Sequence, residues 1–518
     1  MAYKAGELTG PFWAENSGLA NGRDPLGIQN SSVATYVKLL PGITNVTSHI
    51  RYYGFYCWLL EQYISNKEIK NNNSLQEQLL FIRKAELLLT YTIKAIDGSR
   101  YNGVGGSAFV ERDLKDNPEV DYSINLEKNA SFYKKGNTNV YWKLRSGVFG
   151  QYYLGVLKDL ALIAEPQGTN NVYVRTGELG RQLAYAFDKN VPTKQKLTFI
   201  KAVIDGRISR KILDSLPNFH LNYIPVDSEE WKFYIDLMRG ADLPGTNLGS
   251  TRFRNATINF YLNFLKQKQE KEFLDYCYIK RRAIADKEFD ASIGWRYYSL
   301  NEYSHVAYEH IFCSLLYFLK PYPLDLEQRV NVLAQESTSL LLKELKIKGK
   351  NLHVSDVINA TFSTDKFYNN MWYNHEEQPA YCIANALLLL MLLYKENLDD
   401  KEALMGYANK NQIIRKGHAF NLFNEILEKN LKNDLPKFIK NTIYLALNDH
   451  LFSSYNKASL NQKDMFNILV EDSTARRVRD TEPALTSPRI NSLKSFLLDL
   501  QLITPANKPI NNALQIFA

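Results

Sequence analysis

The 518-residue chain is long enough for about three to four domains, so it can bury full hydrophobic cores without disulfides or metal ions. Its 45% apolar and 23% charged residues match globular proteins and exclude collagen-like and intrinsically disordered chains. The 26 glycines and 17 prolines are fewer than average, which favours long helices over a many-stranded sandwich or barrel. A net charge of +8 permits an acidic partner without requiring one.

The cysteines and the apolar segments indicate a cytoplasmic location. Cys57, Cys277, Cys313 and Cys382 lie far apart in apolar runs, so they form no CxxC pair, and we expect buried, reduced thiols. The first residues contain no apolar stretch typical of a secretory signal. The longest apolar run, residues 383–394, is too short to span a bilayer and predicts a buried core helix, so no membrane is expected as a partner.

The N-terminal third reads as helices separated by polar segments. The pattern predicts a short helix over residues 31–40, stopped by Pro41-Gly42, and a long aromatic helix over residues 43–64. A further helix is predicted over residues 75–96. Residues 97–140, which include the Gly103-Val-Gly-Gly106 run, are expected to form a loop-rich excursion.

Residues 141–188 combine three local signals in a fixed order. Apolar residues recur at helical spacing until Pro166 blocks continuation, and a strand-like 172–175 segment follows the turn. Thr176 then opens another helix as a plausible N-cap. This order resembles winged helix-turn-helix domains. The resemblance implies that the first of these helices is a recognition helix and that residues 172–175 belong to a β-wing.

A similar pattern occurs near the other end of the chain. Residues 157–163 (LKDLALI) are matched by residues 497–503 (LLDLQLI), and a proline follows each, Pro166 and Pro505. A helix is predicted from about residue 490, with a wing over residues 506–511 and a returning strand over residues 513–517. We therefore expect a second winged helix-like unit here.

The remaining segments are predicted to be helical. The chain is predicted to divide into four consecutive domains. The predicted fold class is mainly α and multi-helical, with one or two winged helix-like units that contribute short β-wings. The predicted domains are an N-terminal helical domain (1–140), a winged helix-like domain (141–225), a central helical domain (226–400) and a C-terminal helical region ending in the second winged unit (401–518).

Sequence motifs for common catalytic chemistry are missing. The chain contains no GxxxxGK[ST], GxSxG or HExxH motif, which excludes P-loop nucleotide hydrolysis and two familiar hydrolase types. Glu302, His305 and Glu309 share one face of a helix predicted over residues 301–319 and are weak candidates for a metal site. They supply half of a di-iron carboxylate signature, whose second Glu-x-x-His is missing. No cofactor is therefore expected, and a metal-dependent enzyme remains an alternative.

Nucleic-acid contact requires cations for phosphates and polar side chains on the exposed face of a helix that enters a groove. The candidate DNA-binding residues of the first winged unit are Lys143, Arg145, Gln151, Tyr152, Lys158, Arg175 and Arg181. Those of the second are Arg489, Asn491 and Lys494. Winged helices also serve as protein docking modules, so the expected partners are double-stranded DNA, a protein of a multi-subunit complex, or both.

Two pairs of sequence segments resemble a known group of proteins. They are LPGITNVT with RYYGFYCWLL (residues 40–47 and 51–60), and WRYY with NEYSH (residues 295–298 and 301–305). They resemble a poorly characterised group of bacterial proteins found among phage-defence genes. The resemblance implies a non-enzymatic subunit of an antiviral defence complex that contacts DNA or bridges a partner protein. It implies no catalytic residues. A stand-alone transcription regulator remains a further alternative.

Overall fold

The computed structural model of the chain divides into two compact units. It describes residues 24–69, 73–98, 102–167, 171–240, 248–267, 272–279, 291–349, 352–411, 419–461, 465–510 and 512–517. Unit 1 takes its described residues from the ranges Met1–Lys38 and Lys271–Thr486, and unit 2 from Leu39–Glu270 and Ser487–Ala518. This division crosses the four consecutive domains expected from the sequence, because residues 487–518 belong with residues 39–270.

The first half of the chain is mainly helical. Its α-helices are α1 (Asn30–Leu39), α2 (Arg51–Ser65), α3 (Leu75–Asp97), α4 (Ser107–Asp116), α5 (Leu126–Asn129), α6 (Leu154–Asp159), α7 (Leu179–Asn190), α8 (Thr193–Asp205), α9 (Glu229–Arg239) and α10 (Leu248–Lys266). A π-helical segment, Phe149–Tyr153, directly precedes α6. The short strands are β1 (Ser123–Asn125), β2 (Ile163–Ala164), β3 (Val174–Arg175) and β4 (Arg207–Ser209). β1 pairs with β4 and β2 with β3, both antiparallel.

The second half has the same character and confirms the predicted mainly α fold class. Its helices are α11 (Phe273–Ile279), α12 (Ala291–Phe318), α13 (Leu326–Glu344), α14 (Val354–Ala360), α15 (Lys366–Met371), α16 (Pro379–Glu396), α17 (Lys401–Lys410), α18 (Ala419–Asn430), α19 (Leu435–Asn461), α20 (Ile490–Asp499) and α21 (Ala513–Ile516). The strands β5 (Leu324–Asp325), β6 (Ile468–Glu471) and β7 (Thr474–Arg477) form one antiparallel sheet in the order β5-β7-β6.

The core of unit 2 is built around the aromatic helix α2. Every residue from position 51 to position 60 is buried, so this helix is enclosed on all sides. The rings of Phe55 and Trp58 lie 5.6 to 6.2 Å from Phe187 and Phe199. Tilted and edge-to-face pairs of this kind add stability beyond the buried area itself. The high Tyr and Phe content of the chain therefore serves packing here.

The core of unit 1 is built on α12 and α16. Residues 291–316 of α12 are all buried, and α16 contributes an almost continuous apolar run to the same cluster. By length and composition α16 could cross a membrane, but 83% of it is buried inside the structure. The prediction of a buried core helix over residues 383–394 is confirmed. The prediction of buried thiols is confirmed as well, since all four cysteines are free and buried.

Three predicted elements differ from the structure. The aromatic helix begins at Arg51, not at residue 43, because the Thr47 hydroxyl bonds the main chain of Thr44 and holds a turn there. Residues 97–140 contain α4, β1 and α5. The strand expected over residues 513–517 is the helix α21; the preceding Pro509 makes only an isolated bridge and has no N–H to extend a ladder.

The close packing of α7 against β2 generates a stability prediction. A Cβ added to Gly180 would overlap the carbonyl oxygen of Leu162, whereas a Cβ on the exposed Gly177 would contact nothing. We expect Gly180→Ala to lower the free energy of unfolding by about 1 to 3 kcal/mol through overpacking. The control Gly177→Ala should stay within about 0.5 kcal/mol of wild type. Urea denaturation followed by tryptophan fluorescence checks this, and equal effects of the two substitutions would contradict it.

Candidate functional site

Two segments of unit 2 share one local structure, here called the first element (residues 149–190) and the second element (residues 490–516). In both, the leading helix ends in a turn with a left-handed residue, Ala161 (φ 54°) or Gln501 (φ 56°). The N–H of Leu162 donates to Leu157 O at 2.9 Å in the first element. The same bond recurs at 2.8 Å between residues 502 and 497. This is the Schellman pattern of helix termination. It corresponds to the similar sequences of residues 157–163 and 497–503.

The chain then folds back in both elements. In the first, β2 pairs with β3, and Thr176 N donates to Leu162 O at 2.9 Å before α7 begins. In the second, Ile510 N donates to Leu502 O at 3.0 Å before α21. The first element therefore has a two-residue antiparallel ladder, and the second has an isolated bridge between Ile503 and Pro509.

Both elements pack on the same residue of α2. The ring of Tyr53 lies 6.2 Å from Tyr153, at the start of α6, and 5.8 Å from Phe496 in α20. Both contacts are edge-to-face. The central aromatic helix of unit 2 thus positions the leading helices of both elements.

A buried carboxylate of α3 fixes the start of the first element. Glu86 accepts hydrogen bonds from the N–H groups of Val148 (3.1 Å) and Phe149 (2.6 Å), which open the π-helical segment. The hydroxyls of Tyr56 (2.9 Å) and Tyr141 also donate to it. Burial raises the pKa of Glu86, although these four donors act in the opposite direction. A carboxylate placed here satisfies N–H groups that the helix itself leaves unpaired.

One turn earlier on α3, Arg83 holds the segment that leads into the first element. Its buried guanidinium donates to the main-chain oxygens of Ala130 (2.6 Å), Ser131 (2.9 Å), Trp142 (2.9 Å) and Leu144 (2.6 Å). These four carbonyls cover most of the capacity of one planar guanidinium. The path of residues 130–144, and with it the placement of the predicted cations, depends on this side chain.

Four of the five cations predicted for the first winged unit fall into two pairs. Lys143 and Arg181 are exposed and have no carboxylate partner among the residues that the structure describes. Lys158 pairs with Glu165 at 2.5 Å, and Arg175 pairs with Glu61 at 2.7 Å. The first pair of cations is therefore available to an external anion, whereas the second pair already has internal partners.

Two other predicted residues, Gln151 and Tyr152, contact Trp142, which sequence reasoning missed. Gln151 accepts a hydrogen bond from the indole N–H of Trp142 at 2.9 Å, and the Tyr152 ring stands edge-to-face against it at 5.6 Å. Arg145 is exposed, donates to Gln76 at 3.2 Å and stacks on Phe132.

In the second element the predicted residues play different parts. Asn491 is exposed and Lys494 is half-buried, and neither side chain has an ionic partner among the described residues. Arg489 donates to the main-chain oxygen of Leu40 at 3.0 Å. The guanidinium of Arg489 is thus engaged with unit 2 itself, while Asn491 and Lys494 lie on one turn of α20.

The metal candidates Glu302, His305 and Glu309 lie together on α12, as the spacing predicts, and are fully buried. Their partners include Gln29, Ser32 and residues of the irregular segment 481–486. Glu302 accepts from the main-chain N–H (2.8 Å) and the hydroxyl of Thr486, and Glu309 accepts from the N–H of Ala484 (3.0 Å). The triad therefore holds a segment of the chain itself.

The state of His305 argues against metal binding by this triad. Its Nε2 lies 3.2 Å from Ala484 O, and its Nδ1 lies 3.3 Å from Glu302, so both ring nitrogens face acceptors. Burial lowers the pKa of His305, but the carboxylates of Glu302 and Glu309 outweigh it, and the net pKa is raised. Both ring nitrogens therefore have partners within unit 1. Within the described ranges, no cluster of three His, Cys, Asp or Glu side chains is arranged to hold a metal ion.

Comparison of the chain with protein-family models, with curated proteins and with solved structures finds no match.

The buried Glu309 predicts a pH effect on stability. Burial raises the pKa of Glu309 from 4.5 to about 7 in the folded chain, so the folded state binds this proton more tightly than the unfolded state does. The contribution of Glu309 to stability should therefore fall as the pH rises from about 4.5 to about 7. Relative to wild type, Glu309→Gln should gain about 1 to 3 kcal/mol between pH 5 and pH 8.

Thermal unfolding of both proteins at several pH values measures this difference. The control is Glu336→Gln, which changes an exposed glutamate on α13 of the same unit. A wild-type minus Glu309→Gln difference that does not change with pH would refute the assignment.

Proposed function

We propose that this protein is a non-enzymatic subunit of a bacterial antiviral defence complex and is located in the cytoplasm. It contacts double-stranded DNA through the two elements of unit 2. It also serves as a scaffold for a partner protein. The observation that carries the DNA contact is a pair of exposed cations, Lys143 just before the first element and Arg181 within it, neither of which has a carboxylate partner among the described residues. Cations in this state can neutralise phosphates without first breaking an internal ion pair.

The winged helix-like interpretation of the two elements supports the same proposal. In the first element the π-helical segment and α6, the β2–β3 pair and α7 follow one another along the chain. The exposed side of its leading segment carries Gln151, and α20 carries Asn491 and Lys494 in the second element. Polar side chains at these positions are suited to the edges of bases and to phosphates.

The proposed contact predicts a change in salt dependence. Each neutralised phosphate contributes about −0.9 to the slope of log affinity against log salt concentration. The double substitution Lys143→Ala/Arg181→Ala should therefore weaken binding to duplex DNA and make the slope shallower by about 1 to 2. Fluorescence anisotropy with a labelled duplex between about 50 and 200 mM salt measures both quantities.

The control changes the same net charge in unit 1. Lys348→Ala/Lys432→Ala removes two exposed lysines of unit 1 that have no ionic partner among the described residues. This variant should keep the wild-type slope. Equal slopes for the two double variants would refute a contact at the first element. If wild type binds no duplex at the lowest salt concentration, the DNA contact fails and the elements are protein docking surfaces.

A further inference from the structure

Unit 2 contains a pocket of about 460 Å³ beside the first element. It is lined by the glycine-rich residues 103–106, by the start of α4 and by side chains from residues 141–153. Its volume lies within the range of small-molecule sites, about 300 to 1,000 Å³. Residues 103–106, which the sequence predicts to be a loop, form one wall of this cavity.

Aromatic rings also line the pocket. Trp142 and Tyr152 are half-buried, with ring planes at 82° to each other, and Phe109 and Tyr141 are buried. Two perpendicular rings form a corner in which a planar ligand can stack on one face and meet the other edge-on. Stacking of this kind is how proteins hold nucleobases without reading their sequence.

Two glycines of the loop are required by its close packing against neighbouring side chains. Gly106 has a φ of +85°, and a Cβ there would lie 2.9 Å from Cδ2 of Tyr141. Gly103 has a φ of +78°, and its Cβ would lie 2.5 Å from Cβ of Ser48. Both positions favour glycine through backbone conformation and space. The loop is therefore a close-fitting wall with a defined shape.

The charges around the pocket suit a neutral ring that carries a phosphate. None of the lining residues is an Asp, Glu, Lys or Arg. Two cations lie next to lining residues: Lys143 directly follows Trp142, and the guanidinium of Arg112 lies 5.6 Å from the ring of Phe109. Both cations are exposed. An apolar, uncharged interior with neighbouring cations matches the two parts of a nucleotide.

We propose that this pocket binds a nucleobase, presented either by an unpaired end of a DNA strand or by a free nucleotide. For DNA, the inference rests on the proposed function and adds that the first element prefers a duplex with a single-stranded overhang to a blunt duplex. The base stacks against Trp142 and Tyr152, and the phosphate next to it lies near Lys143.

The test compares full-length wild type with Trp142→Ala, Tyr152→Ala and Trp142→Phe. Binding is measured by anisotropy to a blunt duplex and to the same duplex with a short overhang, at one salt concentration. Wild type should bind the overhang about 5- to 140-fold more tightly, which is the range for stacking of one base. Both alanine variants should lose most of this preference, while Trp142→Phe, which keeps a ring, should retain most of it.

The control is Trp372→Ala, which removes a tryptophan of unit 1 that is 41% exposed and should leave the preference intact. Thermal unfolding of each variant shows that it is folded, and Tyr152→Ala carries the test if Trp142→Ala does not fold. Wild type that binds both duplexes equally, or alanine variants that keep the preference, would overturn binding of a strand end while leaving the proposed function standing.

A separate arm adds nucleoside monophosphates and follows tryptophan fluorescence. Quenching in wild type that is absent in Trp142→Phe, without any overhang preference, identifies the free nucleotide as the source of the base. This result supports the pocket even if no DNA binds and the proposed function fails. No quenching and no overhang preference would overturn the inference altogether.

Discussion

The bond between the Glu86 carboxylate and the main chain at Val148 and Phe149 decides where the first element begins. A carboxylate at this point satisfies free N–H groups and faces the positive end of the helix dipole. Because Arg83 holds the preceding segment from the same side of α3, one buried turn controls the path of the chain over about twenty residues. The exposed Lys143 and the rings around the pocket owe their positions to this turn, although neither Arg83 nor Glu86 is exposed.

Both units use buried polar side chains on a central helix to hold irregular segments. In unit 2, Arg51 pairs with Glu230 at 3.0 Å and also binds two carbonyl oxygens, so the charge is fully compensated. In unit 1, Glu302 and Glu309 of α12 bind the 481–486 segment in the same manner. Breaking a buried charge pair is far more costly than never having formed it. Such groups therefore favour one arrangement of the irregular segments over the alternatives.

Local patterns predicted much of this fold. The helix over residues 75–96 was predicted from apolar residues at helical spacing, and in the structure Ser74 caps its start and Gly98 ends it. The repeated LxDLxLI segments correspond to repeated helix ends. The start of α2 was missed because Thr47 bonds the main chain of a turn that looks helical in the sequence.

The pocket could not be predicted, because residues 103–106 and Trp142 are separated by about forty positions and only the fold joins them. The spacing of Glu302, His305 and Glu309 gave their common face correctly, but their partners come from residues 481–486, about 180 positions later.

The discontinuity of unit 2 has a consequence for its synthesis. His49, which precedes α2, bonds Asp499 of α20 at 3.1 Å, across 450 positions. Residues 271–486, which belong to unit 1, are translated between these two partners. Chains emerge from the ribosome N-terminus first. The aromatic core of unit 2 therefore lacks residues 487–518 until residues 271–486 have been translated. Exposed apolar surface of this kind is where nascent chains aggregate or recruit chaperones. Supply of the finished protein thus depends on how the ribosome-bound chain is protected during this interval.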